Sequence, residues 1–276
     1  MLMFPCMIRQ VVSSLIAAVG LFAGTLPASA QPPAETIIQA EILPGWETEQ
    51  GTQMAGLRLT LAPGWKTYWR APGDAGIPPL FDWSASRNLK AVATYWPRPK
   101  VFKQNGMRTI AYQDEVVLPL ELTPGTPGTP IMLQGRMELG VCHEICMPMS
   151  LELHAELPAL PNPEPIRAAL AARPTSAAQA GVGRVTCTAE PISDGLRLTA
   201  EIPLPPMGGE EVVVVELRDP AIWISEPEVT RQGNSLFAVA DLVPEAAAPF
   251  ALDRSSVRFT LLAGQKAVDI RGCEGG

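Results

Sequence analysis

Histidine is almost missing from this 276-residue chain, which has only 2, and charged side chains make up just 18% of it. It contains no HExxH pair, nucleophile elbow, phosphate loop or dinucleotide fingerprint. The usual signatures of metallohydrolases, serine hydrolases, nucleotide-binding enzymes and dehydrogenases are therefore absent. Basic residues are in the minority, 21 Lys and Arg against 28 Asp and Glu, a net charge of −7 that argues against nucleic acid or anionic lipid as a partner. Beyond the N-terminal segment no apolar run reaches the roughly 18 residues of a spanning helix. Proline, by contrast, is abundant: 29 residues, beside 23 Gly. That is about twice the usual ~5% share, yet Pro and Gly together stay below the roughly 25–30% typical of low-complexity disorder. Proline removes backbone donors and breaks helices, so long bundles, coiled coils and doubly wound α/β folds are disfavoured. Short strands joined by turns remain.

The first thirty residues read as an address. They hold one base, Arg9, an apolar run from Val11 to Leu26, and Ala28-Ser29-Ala30 ahead of Gln31. This is the pattern of a secretory signal cleaved after Ala30, which points to a place outside the cytoplasm, and no Cys follows the run to mark a lipoprotein. Cleavage would remove Cys6 and leave Cys142, Cys146, Cys187 and Cys273. An even number of cysteines in an exported chain implies two disulfides, for which three pairings exist.

Apolar segments of strand length recur along the rest of the sequence. The first set is Thr36–Ile42, Ala55–Leu61, Leu89–Trp96, Val116–Leu122, Ile131–Val141 and Leu151–Leu157. The second is Val182–Ala189, Leu196–Ile202, Glu211–Leu217, Ser235–Leu242, Val257–Leu262 and Lys266–Arg271. Several alternate with period two, as half-buried strands do. Between the sets, residues 158–181 are rich in Pro and Ala and read as a linker with room for one short helix near Pro165–Ala172. The expectation is an all-β chain of two β-sandwich domains, 31–157 and 182–276, with one larger sandwich carrying an insertion as the alternative.

The densest chemistry is Cys142-His143-Glu144-Ile145-Cys146-Met147-Pro148-Met149. Bridging Cys142 to Cys146 closes a loop of about five residues and stabilises by roughly 2 kcal/mol, whereas Cys187 to Cys273 closes about 87 residues for roughly 4.6 kcal/mol. The contrast suggests a structural staple at Cys187–Cys273 and a readily exchanged pair at Cys142–Cys146, where His143 could favour a thiolate and Glu144 oppose it. A small structural staple at Cys142–Cys146, making the chain a non-catalytic interaction module, is one alternative. A Cu(I) site built from Cys142, His143, Cys146, Met147 and Met149 is another, since these are soft ligands.

Four motifs occur in order: Gly64-Trp65-Lys66-Thr67-Tyr68-Trp69-Arg70-Ala71-Pro72-Gly73-Asp74-Ala75-Gly76, Trp96-Pro97-Arg98-Pro99, Ala111-Tyr112-Gln113-Asp114-Glu115-Val116, and Cys142-His143-Glu144-Ile145-Cys146. Together they resemble the N-terminal periplasmic domain of the thiol:disulfide interchange protein DsbD, especially its ScsB-like suppressor-of-copper-sensitivity branch. The resemblance implies immunoglobulin-like sandwiches and a cofactor-free protein-disulfide reductase component, with links to copper tolerance and cytochrome complex assembly. It implies that Cys142 and Cys146 take electrons from a membrane-embedded DsbD- or CcdA-like thiol carrier. They would pass them to periplasmic thioredoxin-like or disulfide-isomerase clients. It implies a cap aromatic, for which Phe102 is the candidate, with Trp65, Tyr68, Tyr112 and His143 as neighbours. Relative to better-known members the two cysteines are closer together, and Arg98-Pro99-Lys100 stands where acids precede the cap ring. As the sequence closes at Gly276, the membrane carrier is expected on a separate protein.

Overall fold

The structure is a computed structural model and describes residues 37–73, 76–104, 106–157 and 163–276. Residues 1–36, with the stretch read as a secretory signal, and residues 158–162, the start of the stretch read as a linker, lie outside the described residues. In the first half the chain forms β1 (Ile38–Glu47), β2 (Gln53–Leu61), β3 (Lys66–Tyr68), β4 (Leu80–Asp82), β5 (Leu89–Thr94), β6 (Lys100–Gln104), β7 (Met107–Gln113), β8 (Glu115–Pro124), β9 (Ile131–Cys142) and β10 (Cys146–Leu157). A helix, α1 (Pro163–Ala171), follows. The second half contains β11 (Thr175–Ser176), β12 (Thr186–Pro191), β13 (Leu196–Pro203), β14 (Val212–Glu216), β15 (Trp223–Ile224), β16 (Glu228–Gln232), β17 (Ser235–Val243), β18 (Arg258–Ala263), β19 (Lys266–Arg271) and β20 (Glu274–Gly275).

The strands assemble into two sandwiches. In the first, a sheet ordered β1-β2-β8-β5 faces one ordered β10-β9-β3-β7-β6, with β4 also on β9. Alternation drives the packing: Leu57 and Leu59 of β2 pair with Leu118 and Val116 of β8, and all four point into one core with Leu133, Leu139, Val141 and Leu153 of the facing sheet. In the second sandwich, β11-β19-β18-β14 faces β15-β17-β13-β12-β20, with β16 on β17. Leu198, Ala200, Leu236, Ala240, Phe259 and Leu261 fill its core. The expected all-β, immunoglobulin-like sandwich architecture is what the chain adopts.

The helix within the stretch read as a linker is packed, not free. Ile166 and Ala169 are buried against Leu43, Met54 and Val117 on the outer face of the β1-β2-β8 sheet. The close approach needs glycine at position 56, where a Cβ would meet Ile166 at 2.8 Å and Val117 at 3.1 Å. Val117 faces outward between the inward Val116 and Leu118, so this sheet has a second apolar face that requires a cover.

The two sandwiches pack as one compact body. Val212 and Val214 of β14 join the first core and Val213 and Val215 the second, so this four-valine run is buried on both faces. Leu262 and Ala267 also reach the first core. Arg70, stacked 3.8 Å from the Trp69 ring, makes a two-pronged bond to Glu216 at 2.8 and 2.9 Å. Arg108 pairs with Glu226 at 3.0 Å.

Candidate functional site

The β9–β10 hairpin carries the cysteine pair at its tip. Cys142 and Cys146 are directly opposed in the register, separated by the three-residue turn His143-Glu144-Ile145, with Cα atoms 4.2 Å apart and their sulfurs bonded. The turn projects into solvent, and Ile145 is 74% exposed. Cys146 is itself exposed and Cys142 partly covered.

Alternation determines what shares a face with the sulfurs. Val141 and Thr67, cross-strand partners on β9 and β3, are both buried, and the Thr67 hydroxyl donates to the Gly140 carbonyl at 2.9 Å. Their neighbours Cys142, Gly140, Lys66 and Tyr68 therefore take the outer face, as does Phe102 beside the core-directed Val101 of β6. Met147 and Met149 pack against the first core, on the opposite side of β10 from Cys146. The soft ligands of the copper alternative are thus split between two faces by period two. Among the described residues no group of three or more His, Cys, Asp or Glu is arranged to hold a metal ion.

Tyr68 is the closest polar partner of the disulfide. Its ring is 2% exposed and its hydroxyl donates to the Cys146 Sγ at 2.8 Å. Three features build its slot. Gly140 lies under the ring, where a Cβ would come within 2.7 Å of it. Ile77 packs beside it, 2.8 Å from the same virtual Cβ. At Gly76 a Cβ would strike Pro72 at 2.2 Å and Tyr68 at 2.9 Å, so only glycine lets the loop fold over the ring. Burial raises the Tyr68 pKa, which keeps the phenol protonated and a donor across the range where thiols titrate.

The other expected neighbours have distinct surroundings. Trp65 lies 5.7 Å from the His143 ring, centroid to centroid, and a Cβ on Gly64 would meet His143 Nε2 at 2.8 Å. His143 is thus seated on the β2–β3 turn. Phe102 lies under the Lys66 ammonium, 4.7 Å from its ring centroid. Tyr112 is buried in the core and donates to the Pro97 carbonyl at 2.7 Å, so it anchors the Trp96–Pro99 segment from within. Burial holds its phenol well above the ordinary tyrosine range. Cys187 and Cys273 form the second disulfide, with Cα atoms 5.7 Å apart, and Cys187 belongs to the second core. Just after it, β20 pairs in parallel with β12, so the C-terminal segment is tied to the start of the sandwich.

Sequence reasoning missed Lys66, Ile77, Gly140 and the β6–β7 hairpin. The hairpin had a signal, the Asn105-Gly106 dipeptide of tight turns, and Gly106 indeed has φ +79°. Lys66 and Ile77 had none, because their relation to the cysteines exists only across strands.

Comparison with known proteins agrees with this geometry. Residues 38–158 match the family model "Thiol:disulfide interchange protein DsbD, N-terminal". The chain also superposes on the crystal structure of the N-terminal periplasmic domain of ScsB from Proteus mirabilis. That match has TM-score 0.67 and 21% identity, and covers 90% of this chain and 97% of that one. No curated protein matches. The family resemblance seen in the motifs holds over 38–158, so this block is similar to the DsbD N-terminal domain, and the structural likeness shows that the fold extends through the second sandwich.

Proposed function

We propose that the chain is a periplasmic thiol–disulfide exchange protein, exported by residues 1–30. It takes two electrons from a membrane-embedded thiol carrier and delivers them to periplasmic disulfide proteins through Cys142 and Cys146. Residues 31–157 are the working domain, and 182–276 a companion stapled by Cys187–Cys273. The observation that carries this reading is the disulfide at an exposed hairpin tip with the Tyr68 hydroxyl on the Cys146 sulfur. A buried, neutral phenol that donates to sulfur favours the thiolate over the thiol.

In this mechanism the exposed Cys146 meets partners. A thiolate of the carrier attacks the Cys146 Sγ, a mixed disulfide forms, and the electron pair of the broken bond leaves on Cys142. The carrier's second thiol then attacks its own sulfur in the mixed disulfide and frees Cys146, so the carrier is oxidised and the pair reduced. Delivery to a client runs the same steps in reverse, with Cys146 as nucleophile and Cys142 as resolving thiolate. Ile77, which lies against Gly140, and Phe102, under the Lys66 ammonium, are assigned to limit access to the reduced pair.

Titration of the purified protein with a dithiol buffer, with alkylated cysteines mapped at each point, tests the assignment. Cys142 and Cys146 are expected to become alkylated under conditions that leave Cys187–Cys273 intact. Equal resistance of both bridges would overturn it.

A further inference from the structure

Lys66 is a cation without a carboxylate beside the cysteine pair. It stands directly opposite Cys142 in the β3–β9 register, at the last paired position before the hairpin turn. The next pair, Thr67 and Val141, points into the core, so the Lys66 and Cys142 side chains share the outer face. Directly opposed residues on one face have Cβ atoms about 4.5–5.5 Å apart, well within reach of a lysine.

Among the described residues Lys100 pairs with Asp114 at 4.0 Å and Lys103 with Glu210, while Lys66 has no carboxylate within ion-pair distance. Its ammonium instead lies over the Phe102 ring of β6 at 4.7 Å, a cation–π contact that a thiolate on the opposed Cys142 can replace. On its other flank β7 presents the neutral Gln113. The titratable groups near it are Tyr68 on β3, His143 and Glu144 at the tip, and Lys100 on β6; farther along the same elements, Arg108 of β7 pairs with Glu226, Tyr112 is buried in the core, Lys103 of β6 pairs with Glu210, Arg136 of β9 pairs with Glu152, and Glu138 lies four positions before Cys142. Of these, Glu144 is exposed at the turn and Lys100 faces Asp114.

Resting on the exchange reaction above, we infer that the Lys66 ammonium stabilises the Cys142 thiolate, the sulfur released when a partner attacks Cys146. The two sulfurs are then served by different groups: the Tyr68 hydroxyl holds Cys146, the sulfur that meets partners, and Lys66 holds Cys142, the sulfur that leaves and later resolves. A leaving thiol of lower pKa departs faster, and as a resolving group it carries more thiolate at neutral pH.

Two measurements on the full chain test this. The first is the pH dependence of Cys142 alkylation in the Cys146→Ser protein, with and without Lys66→Met. The second is the rate of reduction of the Cys142–Cys146 bond by dithiothreitol in the otherwise native chain. Lys66→Met is expected to raise the alkylation midpoint by about one pH unit, tenfold less thiolate below it, and to slow reduction several-fold. Lys66→Arg should restore both. Lys66→Gln repeats the test if the Met variant folds poorly, as judged by its thermal midpoint. An unmoved alkylation midpoint in a folded variant overturns the inference. If dithiothreitol fails to reduce Cys142–Cys146 in the native chain, the exchange reaction itself fails, and the alkylation profile still decides whether Lys66 acts on Cys142.

Discussion

Replacing Tyr68 by phenylalanine removes one hydroxyl from a ring that is 2% exposed and leaves the packing against Gly140 and Ile77 in place. The lost contact is the 2.8 Å bond to Cys146 Sγ. Against a thiolate such a bond contributes about 1.5–3 kcal/mol. At 1.36 kcal/mol per pH unit, the Cys146 thiol should titrate roughly one to two units higher in the variant. The bond favours the reduced, thiolate form, so its loss shifts the equilibrium toward the disulfide. With 30 mV corresponding to about 1.4 kcal/mol for two electrons, the reduction potential should fall by roughly 30–60 mV where the thiolate dominates. The assay has two arms: the pH profile of Cys146 alkylation in a Cys142→Ser protein, and redox equilibration of the Tyr68→Phe chain against a dithiol buffer. Because the ring is retained, the thermal midpoint should move little. If both the alkylation midpoint and the potential match those of the native chain, the hydroxyl does not act on the sulfur and the account of the site is wrong.

Three further outcomes are expected. Changing both Cys187 and Cys273 to serine opens a loop spanning 86 positions and should cost roughly 4–5 kcal/mol in urea unfolding, while exchange at Cys142–Cys146 persists in the folded fraction. Arg70→Ala strands Glu216, whose side chain is 19% exposed, between the sandwiches and should lower stability by roughly 3 kcal/mol. Arg70→Ala combined with Glu216→Leu should recover much of that loss, as measured by thermal unfolding. Hydrogen bonds from Tyr95 and Thr52 hold the Glu121 carboxyl below the ordinary glutamate range. Its contribution is therefore complete above the unfolded-state pKa and lost as pH falls through the lowered folded value. Tyr95→Phe should flatten that part of the acid-unfolding profile and leave the variant less stable than the native chain near neutral pH.

The strands were legible because period two is written in the side chains. Each of the twelve apolar segments of strand length, several of them alternating, contains or overlaps a strand. Those that escaped, such as β3 and β4 with three residues each and β16 with a polar pattern, are too short or too exposed to carry a periodic signal. The pairing of the four cysteines into a short and a long bridge was one of three the sequence allowed, suggested there by the close spacing of Cys142 and Cys146. The packing of residues 163–171 was not, because an amphipathic nine-residue helix looks the same in a linker as on a sheet. Only the presence of Leu43, Met54 and Val117 on one outward face gives it a place to dock.

Composition, alternation and cysteine spacing by themselves determined an all-β chain with two bridges of unequal entropic weight, since these depend on local geometry and on distance along the chain. The tertiary structure decided the chemistry around the sulfurs. Tyr68 lies 78 positions before Cys146, and Lys66 reaches Cys142 only across a strand pairing. It also decided that the valine run at 212–215 joins two cores, because burial on both faces is a property of what stands on either side of a strand. Which groups meet a sulfur depends on register, and register is settled when the sheets close.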